Sequence, residues 1–148
     1  MADTKTLPND VFFEYVCQQL SEGKTVNVPL TGSSMNPTLK QGRDNLMLAP
    51  LPPQAKLRRY DVVLFRYRST HLLHRIVKIH ADTIVTRGDA LVSTETPQRS
   101  DVVAKLVAVK NVETGRLTQC NSLAWHWRTV KGVFWKQLKR TIKRLLNR

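Results

Sequence analysis

Ser34 and His74 are the side chains of this 148-residue chain whose types and surroundings suit nucleophilic catalysis. Ser34 lies in Thr31-Gly32-Ser33-Ser34-Met35-Asn36-Pro37-Thr38-Leu39, a short turn of small residues with one proline. Gly32 permits backbone angles closed to other residues, and Pro37 fixes its own φ and restricts Asn36. A hydroxyl on such a turn is held at one address, and pre-set geometry is the source of effective molarity. The same composition also makes an ordinary β-turn. A serine hydroxyl is a weak nucleophile until a neighbouring base takes its proton, so the turn is chemical only if a base reaches it.

His74 is the leading base. It sits mid-strand among apolar residues, and imidazole's ordinary pKa of about 6.5 suits proton transfer near neutrality. The structural alternative is a core histidine bonded to a backbone carbonyl. His71, His80 and His126 have less ordered surroundings, and Lys78 and Lys105 lie on strands where burial could lower a lysine enough to act. A histidine base also wants an acceptor on its other nitrogen. Asp89, directly after Gly88, is the first candidate acid and Glu95 the alternative; Gly-Asp is also a common turn cap, and both carboxylates stay open. No HxxEH spacing, phosphate loop or dinucleotide fingerprint occurs, so neither metal nor cofactor is expected. Carboxylates are scarce and unpaired, which weighs against glycosidase chemistry. Cys17 and Cys120 form no CxxC, which argues against a zinc site or a disulfide framework.

The elements that must position these residues are mostly strands. A helix capped by Asn9 or Asp10 and ending near Gly23 carries Phe12, Phe13, Val16 and Leu20 on one side. Strands are expected over 25–30, 45–48, 61–67, 72–79, 83–86 and 102–109. Three prolines make the 49–53 stretch a loop, and Glu113 to Arg116 form a turn. The near-continuous apolar run from Val62 to Phe65 implies burial on both faces. On the 72–79 strand, Leu72, His74, Ile76 and Lys78 share one face and Leu73, Arg75, Val77 and Ile79 the other. The expected fold class is mainly β, a coiled antiparallel barrel-like domain over 24–120, with an N-terminal helix over 1–23 and an amphipathic helix over 121–148.

Net charge is +13, of which +8 falls in residues 123–148, where there are eight Lys/Arg and no Asp or Glu. Such a tail implies an anionic partner. Trp127, Val130, Phe134, Leu138, Ile142 and Leu145 recur at helical spacing, with Lys131, Trp135, Lys139, Arg140, Lys143 and Arg144 among them. Either this basic helix lies on an anionic membrane, or it packs on its own domain with a solvated basic face. Nucleic acid is the less favoured partner. The polar start, Met1 to Asn9, lacks the apolar core of a signal peptide, and no run reaches the roughly 18–20 apolar residues of a spanning helix. The expected location is cytoplasmic or peripheral on a membrane.

Between Val28 and Val109 the order of segments resembles the serine peptidases that include type I signal peptidases and the peptidase domain of LexA-like repressors. Gly32 to Leu39 resembles the nucleophile box, in which the serine before methionine attacks the peptide. Gly42-Arg43-Asp44-Asn45-Leu46-Met47-Leu48 is similar to the following Gly-Asp strand, with Arg43 interposed. Tyr60 to Phe65 resembles the Gly-Asp-Ile-Val-Val-Phe box, with tyrosine for glycine. Leu73-His74-Arg75-Ile76-Val77 falls at the base box, and Gly88-Asp89-Ala90 resembles the Gly-Asp-Asn box. Classical bacterial signal peptidases and the repressors place lysine at the base box, whereas the archaeal and endoplasmic-reticulum type places histidine before arginine.

The resemblance therefore implies a serine endopeptidase that cleaves signal or leader peptides. In it Ser34 is the nucleophile, His74 the base and a carboxylate (Asp89, or Glu95 near the place of the family aspartate) the third member. It also implies that the Ser34 backbone amide and the Gly32 region hold the oxyanion. Relatives that add a serine hydroxyl two positions before the nucleophile have no counterpart, since Gly32 stands there. No Ala-Gly or Cys-Gly self-cleavage pair supports a LexA-like regulatory peptidase. A catalytically silent module that binds peptide or membrane is the other alternative.

Overall fold

The computed structural model describes residues 9–52 and 55–148. The polar start of the chain lies outside them, as do Pro53 and the cap expected from the Asn9 or Asp10 side chain. Helix α1 runs Asn9–Ser21 and closes with Gly23 at φ +79°, where a left-handed residue ends the helix. Val16 and Leu20 are buried, with Phe12 and Phe13 packed beside the core.

Among the described residues seven strands follow: β1 (Val26–Pro29), β2 (Asp44–Pro50), β3 (Val62–Tyr67), β4 (Thr70–Ile79), β5 (Ile84–Arg87), β6 (Val102–Asn111) and β7 (Leu117–Gln119). They form one antiparallel sheet in the order β1-β2-β6-β3-β4-β5, with β7 on β6. The mainly β expectation holds. The sheet does not close, however: β1 and β5 stand at its two ends, and the outer side of β5 is covered by residues 95–98 through bridges Thr83↔Gln98 and Thr86↔Glu95. The expected 49–53 loop also needs correction. β2 continues through Ala49 and Pro50, paired with Lys105 and Ala104, because proline at a strand's last position removes only one donor. Strand β7 is too short and too polar to be recognised from its sequence.

The split face of β3 explains its continuous apolar run. Val62 and Leu64 enter the main core with Leu46, Leu48, Leu106 and α1, while Val63 and Phe65 join Ile76 and Ile84 on the other side. β4 alternates in the same sense. Val63↔His74 and Val62↔Arg75 are register pairs, so His74 and Arg75 leave the sheet on opposite faces.

Helix α2 (Leu123–Leu146) starts at Ser122, whose hydroxyl accepts from Trp125 N at 3.2 Å. It packs on the domain through Trp125, Thr129 and Gly132 rather than through the stripe Trp127, Phe134, Leu138 and Leu145, which is exposed. The sequence left open whether α2 packs on its domain or lies on a membrane; the structure packs it through a narrow face opposite the apolar stripe. Gly132 makes this possible, since a Cβ there would lie 2.0 Å from Thr38 Oγ1. Arg128 completes the junction, donating from Nε to Thr38 O at 2.8 Å and pairing with Asp44 at 2.9 Å. Burial pushes the Asp44 carboxyl up, but hydrogen bonds from Arg43, the Lys40 amide and Arg128 outweigh it and hold the group below the ordinary carboxylate range. Among the described residues no helix is long and apolar enough to cross a membrane.

Candidate active site

Ser34 opens a tight turn after β1. Met35 and Leu39 anchor it in the core, and Leu39 N donates to Met35 O at 3.0 Å. The Asn36–Pro37 peptide is cis, and Gly32 sits at φ +85°. The turn's apolar residues point inward, which leaves the Ser34 hydroxyl directed along the sheet toward β4.

Across that gap stands His74. Its Nε2 lies 3.2 Å from Ser34 Oγ, and its Nδ1 lies 3.0 Å from Glu95 Oε2. A carboxylate can only accept, so Nδ1 carries the hydrogen and Nε2 offers its lone pair to the serine hydroxyl. The imidazole is 4% exposed and Glu95 8%, and Phe65 packs edge-on to the ring with centroids 6.2 Å apart. Thr86 Oγ1 donates to the same Glu95 Oε2 at 2.8 Å, which fixes the oxygen that faces His74. Two backbone bonds between Thr86 and Glu95, each 2.9 Å, bring this residue to the site. They form because residues 95–98 lie antiparallel along β5.

Asp89, the first candidate acid, is not on His74. Its carboxylate receives Arg75 Nε and one terminal nitrogen, both at 2.8 Å, in a buried two-point pair. The physical reason is strand alternation: Arg75 leaves β4 on the face opposite His74, and Asp89 follows the guanidinium. Arg75 further donates to Tyr60 O at 2.9 Å and to Thr129 Oγ1 at 3.4 Å, tying β4 to α2. The other candidate bases are elsewhere. His71 stacks on Phe13 with centroids 5.0 Å apart, and burial, then the neighbouring Arg66, hold it below the ordinary imidazole range. His80, His126 and Lys78 are exposed, and Lys105 pairs with Asp61 at 3.2 Å. Burial pushes the Cys120 thiol up to about 12, so it stays protonated.

The Ser34 amide makes no hydrogen bond among the described residues and is free to meet an oxyanion. The Gly32 amide is not, because it donates to Gln41 Oε1 at 2.9 Å. This narrows the expected oxyanion donor to Ser34. Among the described residues no group of three or more His, Cys, Asp or Glu side chains could hold a metal ion.

Thr86 and Gly88 are the residues that sequence reasoning missed here. Ala90 N donates to Ser34 O at 2.9 Å, which draws the segment after β5 against the Ser34 turn. A Cβ on Gly88 would lie 2.6 Å from Ser34 O and 3.1 Å from His74 Nε2. The Gly88-Asp89 motif signals a turn, but not that its glycine is the spacer between Ser34 and His74. Gly88→Ala is expected to slow modification of Ser34 by a fluorophosphonate about 10²-fold, since a shift of about 1 Å in reacting atoms has that effect. Comparing labelling rates of the two proteins at matched fold content checks this; an unchanged rate would mean that the spacer role is wrong.

Comparison of the chain with protein-family models and with curated proteins yields no match.

Proposed function

We propose that this protein is a serine endopeptidase that cleaves signal or leader peptides in trans through an acyl-enzyme. The observation that carries this reading is the Ser34–His74–Glu95 chain, half-buried at Ser34 and buried at the other two residues, with 3.2 Å and 3.0 Å between successive groups. The ordered segment resemblance from Gly32 to Ala90 supports the same serine, the same histidine and peptide as the substrate class. The unpartnered Ser34 amide supports acyl transfer in particular.

Each group has one task in this reaction. Ser34 Oγ attacks the scissile carbonyl carbon as His74 Nε2 takes its proton. Glu95 holds the imidazole in the tautomer that makes Nε2 a base and stabilises the imidazolium that forms. The Ser34 N–H meets the negative charge on the carbonyl oxygen; one such donor is worth about 10²–10³ in rate. The tetrahedral centre collapses, His74 returns its proton to the departing amine, and the acyl group remains as an ester on Ser34. Water then attacks that ester with His74 again as base, releasing the new carboxyl terminus and restoring the hydroxyl. Arg75 and Asp89 touch none of the reacting atoms; their task is to hold β4 against the Gly88–Ala90 segment.

A fluorophosphonate probe tests the chemistry without the natural substrate. It should label Ser34 in the folded protein, and Ser34→Ala should abolish labelling while leaving the unfolding midpoint nearly unchanged. His74→Ala should suppress labelling as well. A folded protein that refuses the probe at Ser34 would sink the peptidase and leave a peptide- or membrane-binding module.

A further inference from the structure

Helix α2 carries an apolar face that the domain does not use. Its buried residues are Trp125, Thr129 and Gly132. Positions on a helix advance by about 100° per residue, which places Trp127, Phe134, Leu138 and Leu145 on the opposite side. Trp127 is 58% exposed, and Phe134 and Leu145 are each 64% exposed. Trp135 and Ile142, also exposed, widen the stripe. A run of large apolar side chains along one line, pointing away from the body that carries it, marks an interaction surface.

The charge of the helix selects its occupant. Lys131, Lys139, Arg140, Lys143 and Arg144 are exposed, and no acidic residue lies between 123 and 148. We propose that α2 lies in the plane of an anionic lipid surface, with Phe134, Leu138, Ile142 and Leu145 in the acyl boundary. Trp127 and Trp135 sit at headgroup level, and the lysines and arginines reach to lipid phosphates. A second copy of the chain would set one cationic helix against another, and nucleic acid would leave the stripe in water.

Seating the helix also seats the candidate active site. Arg128 and Gly132 hold the Thr38 end of the nucleophile turn, and Lys136 Nζ donates to Leu91 O beside the Gly88–Ala90 segment. The lipid-facing side chains lie on the other side of the helix from these contacts. Docking therefore fixes Ser34 at one height over the lipid without displacing any group in contact with it. The binding itself does not depend on the serine chemistry.

The test uses the full chain and vesicles of phosphatidylcholine with or without phosphatidylglycerol. Sedimentation with the anionic vesicles and a blue shift of tryptophan emission are expected, with binding at least about 10-fold weaker on neutral vesicles. Phe134→Glu combined with Leu138→Glu should abolish binding and leave both the unfolding midpoint and fluorophosphonate labelling of Ser34 unchanged. Ser34→Ala should bind as the parent does, which separates this result from the fate of the peptidase reading. Three results would each overturn the proposal: equal binding by the double variant, concentration-dependent dimerisation without vesicle binding, or salt-sensitive nucleic-acid binding in its place.

Discussion

Glu95→Gln is expected to reduce the rate of Ser34 acylation about 10⁴-fold, the scale of loss when the acid partner of a histidine base is neutralised. Glutamine keeps the size of the side chain and can still accept from Thr86. It cannot supply the negative charge that stabilises the imidazolium, and its amide can turn an N–H toward His74 Nδ1, which favours the wrong tautomer. The fold should survive, because the two backbone bonds between Thr86 and Glu95 do not involve the side chain. The measurement is the second-order rate of fluorophosphonate labelling beside a thermal unfolding curve. Parent-like labelling by Glu95→Gln would show that Glu95 is not the acid partner of His74.

Asp89→Asn should do the reverse, disturbing stability first. Arg75 is 1% exposed, and its guanidinium depends on both Asp89 oxygens for compensation. Removing one partner of a buried ion pair costs about 3–5 kcal/mol, because the remaining charge stays in a poorly polarisable site. For a chain of this size that corresponds to a fall of about 10 °C in the unfolding midpoint. Arg75→Met combined with Asp89→Leu should recover part of the loss by removing both charges together. Asp89→Asn with an unchanged midpoint but lost labelling would return Asp89 to the reaction and displace Glu95. The two variants thus separate carboxylates that lie six residues apart and carry the same charge.

Much of the local structure was legible. The strand of His74 announced itself by alternation, and helix α1 by the spacing of Val16 and Leu20. Less legible was anything that depends on which strand lies beside which. Nothing in the residues around Glu95 says that they run along β5; that pairing puts Thr86 against Glu95 and Glu95 against His74. The Gly-Asp pair after β5 suggested an acid for the histidine, but the alternation of β4 sends Arg75, and Asp89 with it, to the other face. The 49–53 stretch misled because proline forbids a strand's interior, not its last position. For the closing helix, periodicity identified the apolar stripe but not the face that packs on the domain, since a glycine, a threonine and one tryptophan carry no strong hydrophobic period.

The sequence by itself determined a mainly β chain, a constrained serine turn, a histidine held on a strand and a basic amphipathic helix at the end. These follow from residue type and spacing, because backbone freedom and side-chain alternation are local properties. Only the tertiary structure decided that His74 faces Ser34, that Glu95 rather than Asp89 stands behind it, that Gly88 spaces the two, and that the apolar stripe of α2 points outward. Each of these is a contact between segments distant along the chain, and strand order with side-chain direction, not local preference, selects among the partners that composition allows.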